Sequence, residues 1–186
     1  MNLPNWITVS RMALAIPFLF LLELKGLEQY ATVLFAFAAL TDALDGYLAR
    51  KLNLVTDLGK LLDPLVDKVL VTGALVALVS RGVVPAWSVT IVLFREFVVT
   101  GMRAMEAQRG VTIPAGWPGK VKAFLQMVAL VMLLWMLDPL GPGVKAGWLT
   151  QAGMWVYWAS VVLAVFSGLQ YLWHARGLFQ EPAKDA

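Results

Sequence analysis

Four aspartates lie close together in a chain that is otherwise strongly apolar. Asp42, Asp45, Asp63 and Asp67 occur within residues 41–68, whereas 60% of the 186 residues are hydrophobic and 15% are charged. The first two are three residues apart and the last two are four apart, so on helices each pair shares one face. Two like charges 4 Å apart repel by roughly 4 kcal/mol at an effective dielectric of 20. Four facing carboxylates therefore need protonation, basic partners or bound cations.

The donor chemistry of this cluster favours hard metal ions. The chain has no cysteine, and its single histidine, His174, follows the last apolar run. Carboxylate oxygens without histidine or cysteine suit Mg²⁺ or Mn²⁺. Two such ions held close together suit displacement at phosphorus, because one assists the attacking oxygen and the other the leaving oxygen.

Two glycines and an arginine accompany the aspartates. Gly46 follows Asp45 directly, and Gly59 lies four residues before Asp63. Glycine inside a helix costs about 1 kcal/mol relative to alanine, and what it offers in return is close approach of a ligand to the backbone. Arg50 lies one helical turn after Gly46 and has the geometry to bind a phosphate through two hydrogen bonds.

Two other interpretations of the aspartates stay open. In the first, they balance the basic residues Arg50, Lys51, Lys60 and Lys68 at helix ends. In the second, the chain is a divalent-cation transporter in which the carboxylates form a relay. The position of all four aspartates near one end of their helices disfavours such a relay, which needs ligands along a path.

The elements that position these residues are predicted to be membrane-spanning helices. Soluble domains average about 25% charged residues, well above this chain, and one spanning helix takes about 20 apolar residues. We predict one all-α integral-membrane catalytic domain over residues 1–186, with six transmembrane helices at 7–24, 29–49, 60–80, 85–108, 119–138 and 149–173.

The distribution of basic residues predicts the orientation. If the N-terminus is cytoplasmic, the cytoplasmic side carries Arg11, Arg50, Lys51, Lys60, Lys68, Arg95, Arg103, Arg109, Lys120, Lys122, Arg176 and Lys184. The other side then carries only Lys25, Arg81 and Lys145. Because positive residues concentrate on the cytoplasmic side, we expect both termini and the aspartates to face the cytoplasm.

The spacing of the aspartate segment resembles a known signature. The pattern Asp42-x2-Asp45-Gly46-x2-Ala49-Arg50-x8-Gly59-x3-Asp63-x3-Asp67 matches every fixed position of the CDP-alcohol phosphatidyltransferase family. Members of that family have six transmembrane helices, form homodimers, need Mg²⁺ or Mn²⁺, and replace the CMP of a CDP-linked lipid with an alcohol. The resemblance implies that the four aspartates ligate two metal ions, and that Asp67 is also the general base.

The same resemblance implies a nucleotide site. The CDP moiety would contact Gly46, Arg50, Thr56 and Gly59. Asn5 and Thr8, within PNWIT, would close the nucleotide pocket.

Three further segments resemble one bacterial branch of this family, the phosphatidylglycerophosphate synthases of the inner (cytoplasmic) membrane. They are NLPNWITVSRMALAIPF, REFVVTGMR and GWPGKVKAFLQMVAL. These enzymes join CDP-diacylglycerol to sn-glycerol 3-phosphate. Ala123 departs from the pattern, in which threonine commonly follows Lys-x-Lys. Phosphatidylglycerol, as in a cardiolipin synthase, and inositol phosphate stay open as other acceptors, and we expect no nucleic-acid partner.

Basic residues inside spans four and five predict a pocket for the acceptor's phosphate. A cation at the depth of Arg95 costs about 2.5–3.5 kcal/mol even on insertion scales, so it should face a wet cavity or an anion. Its neighbour Glu96 is expected to face another direction, because adjacent helix residues do not meet. The predicted pocket consists of Arg95, Arg103, Lys120, Lys122 and Gln126. Anchoring by lipid headgroups is the alternative for the lysines, and an ion pair with an acid on another helix is the alternative for Arg95.

Overall fold

The fold was analysed in a computed structural model. The structure describes residues 3–51, 57–108, 116–138 and 143–174, and it describes side chains at 13–41, 68–106, 116–138 and 143–174. Within these residues the chain forms six α-helices and no strand beyond one isolated bridge between Leu137 and Val144. The helices are α1 (Leu3–Glu23), α2 (Glu28–Lys51), α3 (Asp57–Ser80), α4 (Ala86–Gln108), α5 (Trp117–Trp135) and α6 (Trp148–His174).

Six helices are present where they were predicted, with differences at their ends. Helix α1 starts four residues before the predicted span, and Pro4 is tolerated because the first turn of a helix needs no N–H donor there. Helix α5 stops three residues early. Leu137 donates its backbone N–H to Leu134 at 3.2 Å and then pairs with Val144, which turns the chain out of the helix.

Apolar packing between helices forms the core. Helix α1 contacts α2 and α3, α5 lies along α6 and also contacts α2 and α3, and α4 contacts α3 and α6. Phe18 and Phe35 pack ring to ring at 5.4 Å between α1 and α2. Gly73 of α3 lies directly against Leu19, so the small residue lets α1 and α3 approach closely. In a bilayer, close van der Waals packing of such surfaces stabilises the association of the helices.

One end of the bundle is held together by a buried ion pair. Arg81, after α3, lies 2.9 Å from Glu28 at the start of α2, and its other terminal nitrogen donates to the backbone carbonyl of Asp138 at 3.2 Å. The turns α1–α2, α3–α4 and α5–α6 therefore meet at this end. Helix α2 begins and α3 finishes near this end, so the last turns of α2 and the first turns of α3, on the side of the aspartates, lie toward the opposite end.

The outer surface of the bundle is rich in exposed apolar side chains. Ile16, Phe94, Phe124 and Trp155 are among those that are more than two-thirds exposed. Among the described residues, two helices, α5 and α6, are long and apolar enough to cross a membrane. Apolar surface of this kind is typical of contact with lipid or with a partner protein.

Candidate active site

The four aspartates lie on two helices, as their spacing predicts. The helical backbone of α2 runs through Asp42 and Asp45, and that of α3 runs through Asp63 and Asp67. Each pair therefore occupies one helical face. The side chains of these four residues lie outside the described part of the structure.

The residues predicted to bind nucleotide also fall outside the described side chains. Gly46 and Arg50 belong to α2, Gly59 to α3, and Asn5 and Thr8 to α1. Thr56 lies in the segment 52–56, which is outside the described residues.

A cavity of about 320 Å³, here named cavity 1, opens between α2, α3, α4 and α5. On the α2–α3 side, Ala38 and Ala39 lie one turn before Asp42 in sequence, and Lys68 follows Asp67 directly. On the α4–α5 side the polar lining residues are Glu96, Thr100, Arg103, Lys122 and Gln126. Cavity 1 therefore links the helices that carry the aspartates with those that carry the predicted acceptor residues.

Lys68 has defined partners inside this cavity. Its ammonium group donates a hydrogen bond to the hydroxyl of Thr100 on α4 and lies 5.7 Å from the ring centre of Phe97. A cation above an aromatic face is held by the ring's quadrupole as well as by the hydrogen bond. This ammonium group lies between the aspartate-bearing helices and α4.

The side chain of Arg95 passes close to two glycines on neighbouring helices. A side chain at Gly168 of α6 would meet Cγ of Arg95 at 2.9 Å, and one at Gly119 of α5 would meet its Nη2 at 3.2 Å. The guanidinium group donates to Ser167 at 3.0 Å through Nη2, and only 12% of the side chain is exposed. Three helices thus hold this cation within the bundle.

Glu96 contradicts the expectation that it faces away from Arg95. Its Oε1 lies 3.1 Å from Nη1 of Arg95 and 2.6 Å from Nζ of Lys122 on α5. Successive helix positions diverge by about 100°, but the long arginine side chain bends back far enough to reach the carboxylate. The partner of Arg95 is therefore an acid on its own helix, not on another helix.

Lys122 is buried, so anchoring by lipid headgroups is wrong for this residue. Only 2% of it is exposed, and its ammonium group is bound to Glu96. A buried ammonium needs such a charged partner, because desolvation is otherwise costly.

A second cavity of about 280 Å³, named cavity 2, lies between α4, α5 and α6 and has Arg95 in its lining. Its lining residues are Arg95, Arg103, Gly116, Gly119, Ser167, Gln170, Tyr171 and His174. Arg103 lines both cavities, and its guanidinium lies 5.5 Å from the ring centre of Tyr171. The hydroxyl of Tyr171 donates to Oε2 of the buried Glu106 at 2.5 Å.

The structure thus distributes the predicted acceptor residues over two cavities. Arg103, Lys122 and Gln126 line cavity 1, and Arg95 joins Arg103 in cavity 2. Lys120 is exposed and lines neither of the two.

Sequence reasoning missed several participants, although some left a signal. Glu96 and Glu106 are acids inside an apolar helix, a placement that is costly without a partner. The contributions of Lys68, Tyr171 and Gly168 depend on which helices pack together, and no local pattern reveals that.

Buried polar side-chain atoms without a hydrogen-bond partner occur on α4 and α5. In the part of the chain with described side chains, they are Nε of Arg95, Nε2 of Gln126 and Oε1 of Glu106. Such groups are rare in folded proteins and often mark a functional site.

An all-helical bundle with an apolar exterior and two cavities lined by charged side chains is typical of one class of protein, the membrane proteins that bind polar ligands. Comparison with known proteins narrows this class. The model of the CDP-alcohol phosphatidyltransferase family matches residues 1–166. The chain belongs to the CDP-alcohol phosphatidyltransferase family, a family of enzymes, as the signature around the aspartates predicts.

Three bacterial relatives carry the same name, CDP-diacylglycerol–glycerol-3-phosphate 3-phosphatidyltransferase. The Bacillus subtilis (strain 168) protein is 39% identical over 185 residues, which covers 91% of this chain and 93% of its own. The Rickettsia bellii protein is 37% identical over 173 residues, with the same two coverages. The Salmonella choleraesuis protein is 37% identical over 185 residues, covering 95% of this chain and 96% of its own. The family and the two apolar helices indicate a membrane enzyme.

Proposed function

We propose that this enzyme transfers the phosphatidyl group of CDP-diacylglycerol to sn-glycerol 3-phosphate, giving phosphatidylglycerophosphate and CMP. The names of the relatives support both substrates. The observation that carries the proposal is cavity 1, which extends from the α2–α3 face to the charged residues of α4 and α5. An anionic acceptor bound there has cations at one end and the aspartate-bearing helices at the other.

The register of α2 and α3 supports this arrangement. Ala38 lines cavity 1 and lies four residues before Asp42, and Val71 lines it and lies four residues after Asp67. Residues four apart on a helix lie on one face, so positions 42 and 67 continue the cavity-facing rows of their helices.

The four aspartates would hold two Mg²⁺ or Mn²⁺ ions. Their donor set fits hard dications, since all ligands are carboxylate oxygens and the helical backbone sets each pair on one face. In the part of the chain with described side chains, no other group of three His, Cys, Asp or Glu side chains competes for such ions. When bound, the ions supply positive charge that neutralises the pyrophosphate and stabilises the leaving group.

The reaction is a single displacement at phosphorus. Asp67 accepts the proton of the acceptor's 1-hydroxyl, and that oxygen forms a new bond to the lipid-side phosphorus. The bond from this phosphorus to the CMP oxygen breaks, and CMP leaves with the electron pair. Arg50 donates hydrogen bonds to the departing phosphate, while Gly46, Thr56, Gly59, Asn5 and Thr8 contact the nucleotide.

The acceptor's phosphate would lie at the far end of cavity 1 from the reacting hydroxyl. Arg103 and Lys122 line that end, and Arg95 adds its charge from cavity 2. Lys68, which lies beside the α2–α3 face, would contact phosphate oxygens nearer the reacting phosphorus. Lys120 is left out of this pocket because its exposed side chain lines neither cavity.

The proposed setting is the inner membrane of a bacterium. The single domain would cross the membrane six times with both termini and the active site cytoplasmic, and would form a homodimer. The meeting of the α1–α2, α3–α4 and α5–α6 turns at one end supports alternating helix directions. The charge bias of the loops supports the orientation, and a cytoplasmic site would have to open sideways so that the acyl chains remain in lipid.

One alternative keeps the chemistry and changes the acceptor, to phosphatidylglycerol or inositol phosphate. The alternative from a different class of protein is a divalent-cation transporter. The cationic residues of cavity 1 disfavour transport of dications through it, because Lys68, Arg103 and Lys122 would repel them.

A release assay separates these functions. The full chain in detergent–lipid micelles is given CDP-diacylglycerol, Mg²⁺ and one acceptor at a time, and CMP is measured. We expect release with sn-glycerol 3-phosphate and at least 100-fold less with phosphatidylglycerol or inositol phosphate. Equal release with another acceptor would overturn the assignment. Metal uptake by proteoliposomes without CDP-diacylglycerol would favour the transporter.

A further inference from the structure

Glu96 is an unexpected residue for a cavity that binds an anion. Its side chain lines cavity 1 and remains 26% exposed, although its Oε1 accepts hydrogen bonds from both Lys122 and Arg95. The carboxylate offsets the charges of Lys122 and Arg95, and it also presents a hydrogen-bond acceptor to cavity 1. A ligand that complements this acceptor donates a hydrogen bond to it.

Gln126 supplies the opposite kind of group in the same cavity. It lies one turn after Lys122 on α5, only 3% of it is exposed, and its Nε2 has no hydrogen-bond partner among the described residues. A buried donor without an acceptor is destabilising, and native proteins retain one mainly where a ligand or water completes it. The amide of Gln126 therefore indicates an acceptor atom on the ligand.

A hydroxyl group is both a donor and an acceptor, so it complements this pair. We propose that Glu96 and Gln126 form a hydroxyl-recognition subsite that binds the 2-hydroxyl of the acceptor alcohol. This inference rests on the proposed function. Glu96 accepts a hydrogen bond from the hydroxyl, Gln126 donates one to the hydroxyl oxygen, and the cations of the cavity bind the phosphate. The two residues thereby determine which phosphorylated alcohols are used.

The subsite makes a chemical distinction between similar acceptors. In 3-hydroxypropyl phosphate the reacting hydroxyl and the phosphate are kept, but carbon 2 has no oxygen, so Nε2 of Gln126 stays unpaired and Glu96 gains no further hydrogen bond. In dihydroxyacetone phosphate carbon 2 carries a carbonyl, which accepts from Gln126 but offers no proton to Glu96. Sites built around a substrate hydroxyl reject analogues that lack it, because their buried polar groups remain unsatisfied.

Glu96 has a simpler possible role, which is to hold Lys122 and Arg95 in place. The two roles differ in one measurable respect. A residue that only positions cations changes the turnover of every phosphorylated acceptor by the same factor. A residue that binds the 2-hydroxyl changes the preference between acceptors with and without that hydroxyl.

The test measures kcat/KM for CMP release with sn-glycerol 3-phosphate and with 3-hydroxypropyl phosphate, using the full chain in micelles. The wild type should prefer the first acceptor by roughly 10- to 100-fold. In Glu96→Ala and in Gln126→Leu the preference should fall to within about threefold. Gln151→Leu, on the exposed surface of α6, is the matched control and should keep the wild-type preference.

Gln126→Leu keeps the test decisive if Glu96→Ala fails to fold, because it removes a donor that has no partner in the described structure. A preference that survives in Gln126→Leu, or a Glu96→Ala variant that slows both acceptors equally, would overturn the subsite. If the wild type releases no CMP with sn-glycerol 3-phosphate, the proposed function fails, and this inference fails with it. Turnover of that acceptor with an unchanged preference in both variants refutes the subsite alone.

Discussion

A side chain at Gly168 of α6 would lie 2.9 Å from Cγ of Arg95 on α4. The absence of a side chain at this position lets the arginine stem cross the face of α6 and bring its guanidinium to Ser167 and Glu96. The arginine is therefore held by the shape of a neighbouring helix as much as by its hydrogen bonds.

Gly168→Ala should impair the enzyme by displacing Arg95. Overpacking of this kind costs about 1–3 kcal/mol, so we expect kcat/KM for sn-glycerol 3-phosphate to fall roughly tenfold. The matched control is Gly101→Ala on α4, where an added methyl group meets nothing within 4 Å. Steady-state CMP release checks both variants. Equal activity of the two would show that the fit between Gly168 and Arg95 has no functional role.

Alanine substitutions of Lys122 and Lys120 should have very different effects on activity, although the two residues are only two positions apart. Lys122→Ala removes a buried cation from Glu96 and from cavity 1, and should lower kcat/KM for the acceptor at least tenfold. Lys120→Ala should cause a smaller loss, because that side chain is exposed. Acceptor titrations at saturating CDP-diacylglycerol measure both. A larger loss in Lys120→Ala would exclude the proposed arrangement of the pocket.

Removal of divalent metal should abolish turnover without unfolding the protein. We expect excess EDTA to stop CMP release, and added Mg²⁺ or Mn²⁺ to restore it, because carboxylate oxygens suit these ions. Asp67→Asn should be inactive at every metal concentration, whereas Glu23→Gln, on the exposed end of α1, should resemble the wild type. Circular dichroism checks that helix content is retained. Full activity in EDTA would disprove the metal proposal.

The pair between Arg81 and Glu28 should matter for stability and not for catalysis. Glu28 is 3% exposed at its side chain, so Arg81→Ala leaves a buried carboxylate without its partner. Loss of one partner costs about 3–5 kcal/mol, and the midpoint of thermal unfolding should fall by roughly 6–20 °C. The double variant Glu28→Gln/Arg81→Ala should recover part of this loss. The kcat of the folded enzyme should stay within twofold of wild type, since the pair lies at the opposite end of the bundle.

Much of the architecture could be predicted from local patterns. Helix α2 was expected at 29–49 and is observed at Glu28–Lys51, because an apolar run bounded by polar turns specifies a helix through short-range periodicity. The ends of the helices were harder to predict. Helix α5 stops at Trp135, since the pairing of Leu137 with Val144 competes with helix extension.

The aspartate spacing and the family that it indicates were determined by the sequence alone, because residues three or four apart must share a helical face whatever surrounds them. The contacts of the acceptor residues were decided by the tertiary structure. Glu96 meets Lys122 across 26 positions, and Arg95 meets Ser167 across 72. Such pairs form only when α4, α5 and α6 pack together, and local spacing carries no information about which distant residues then fill the same space.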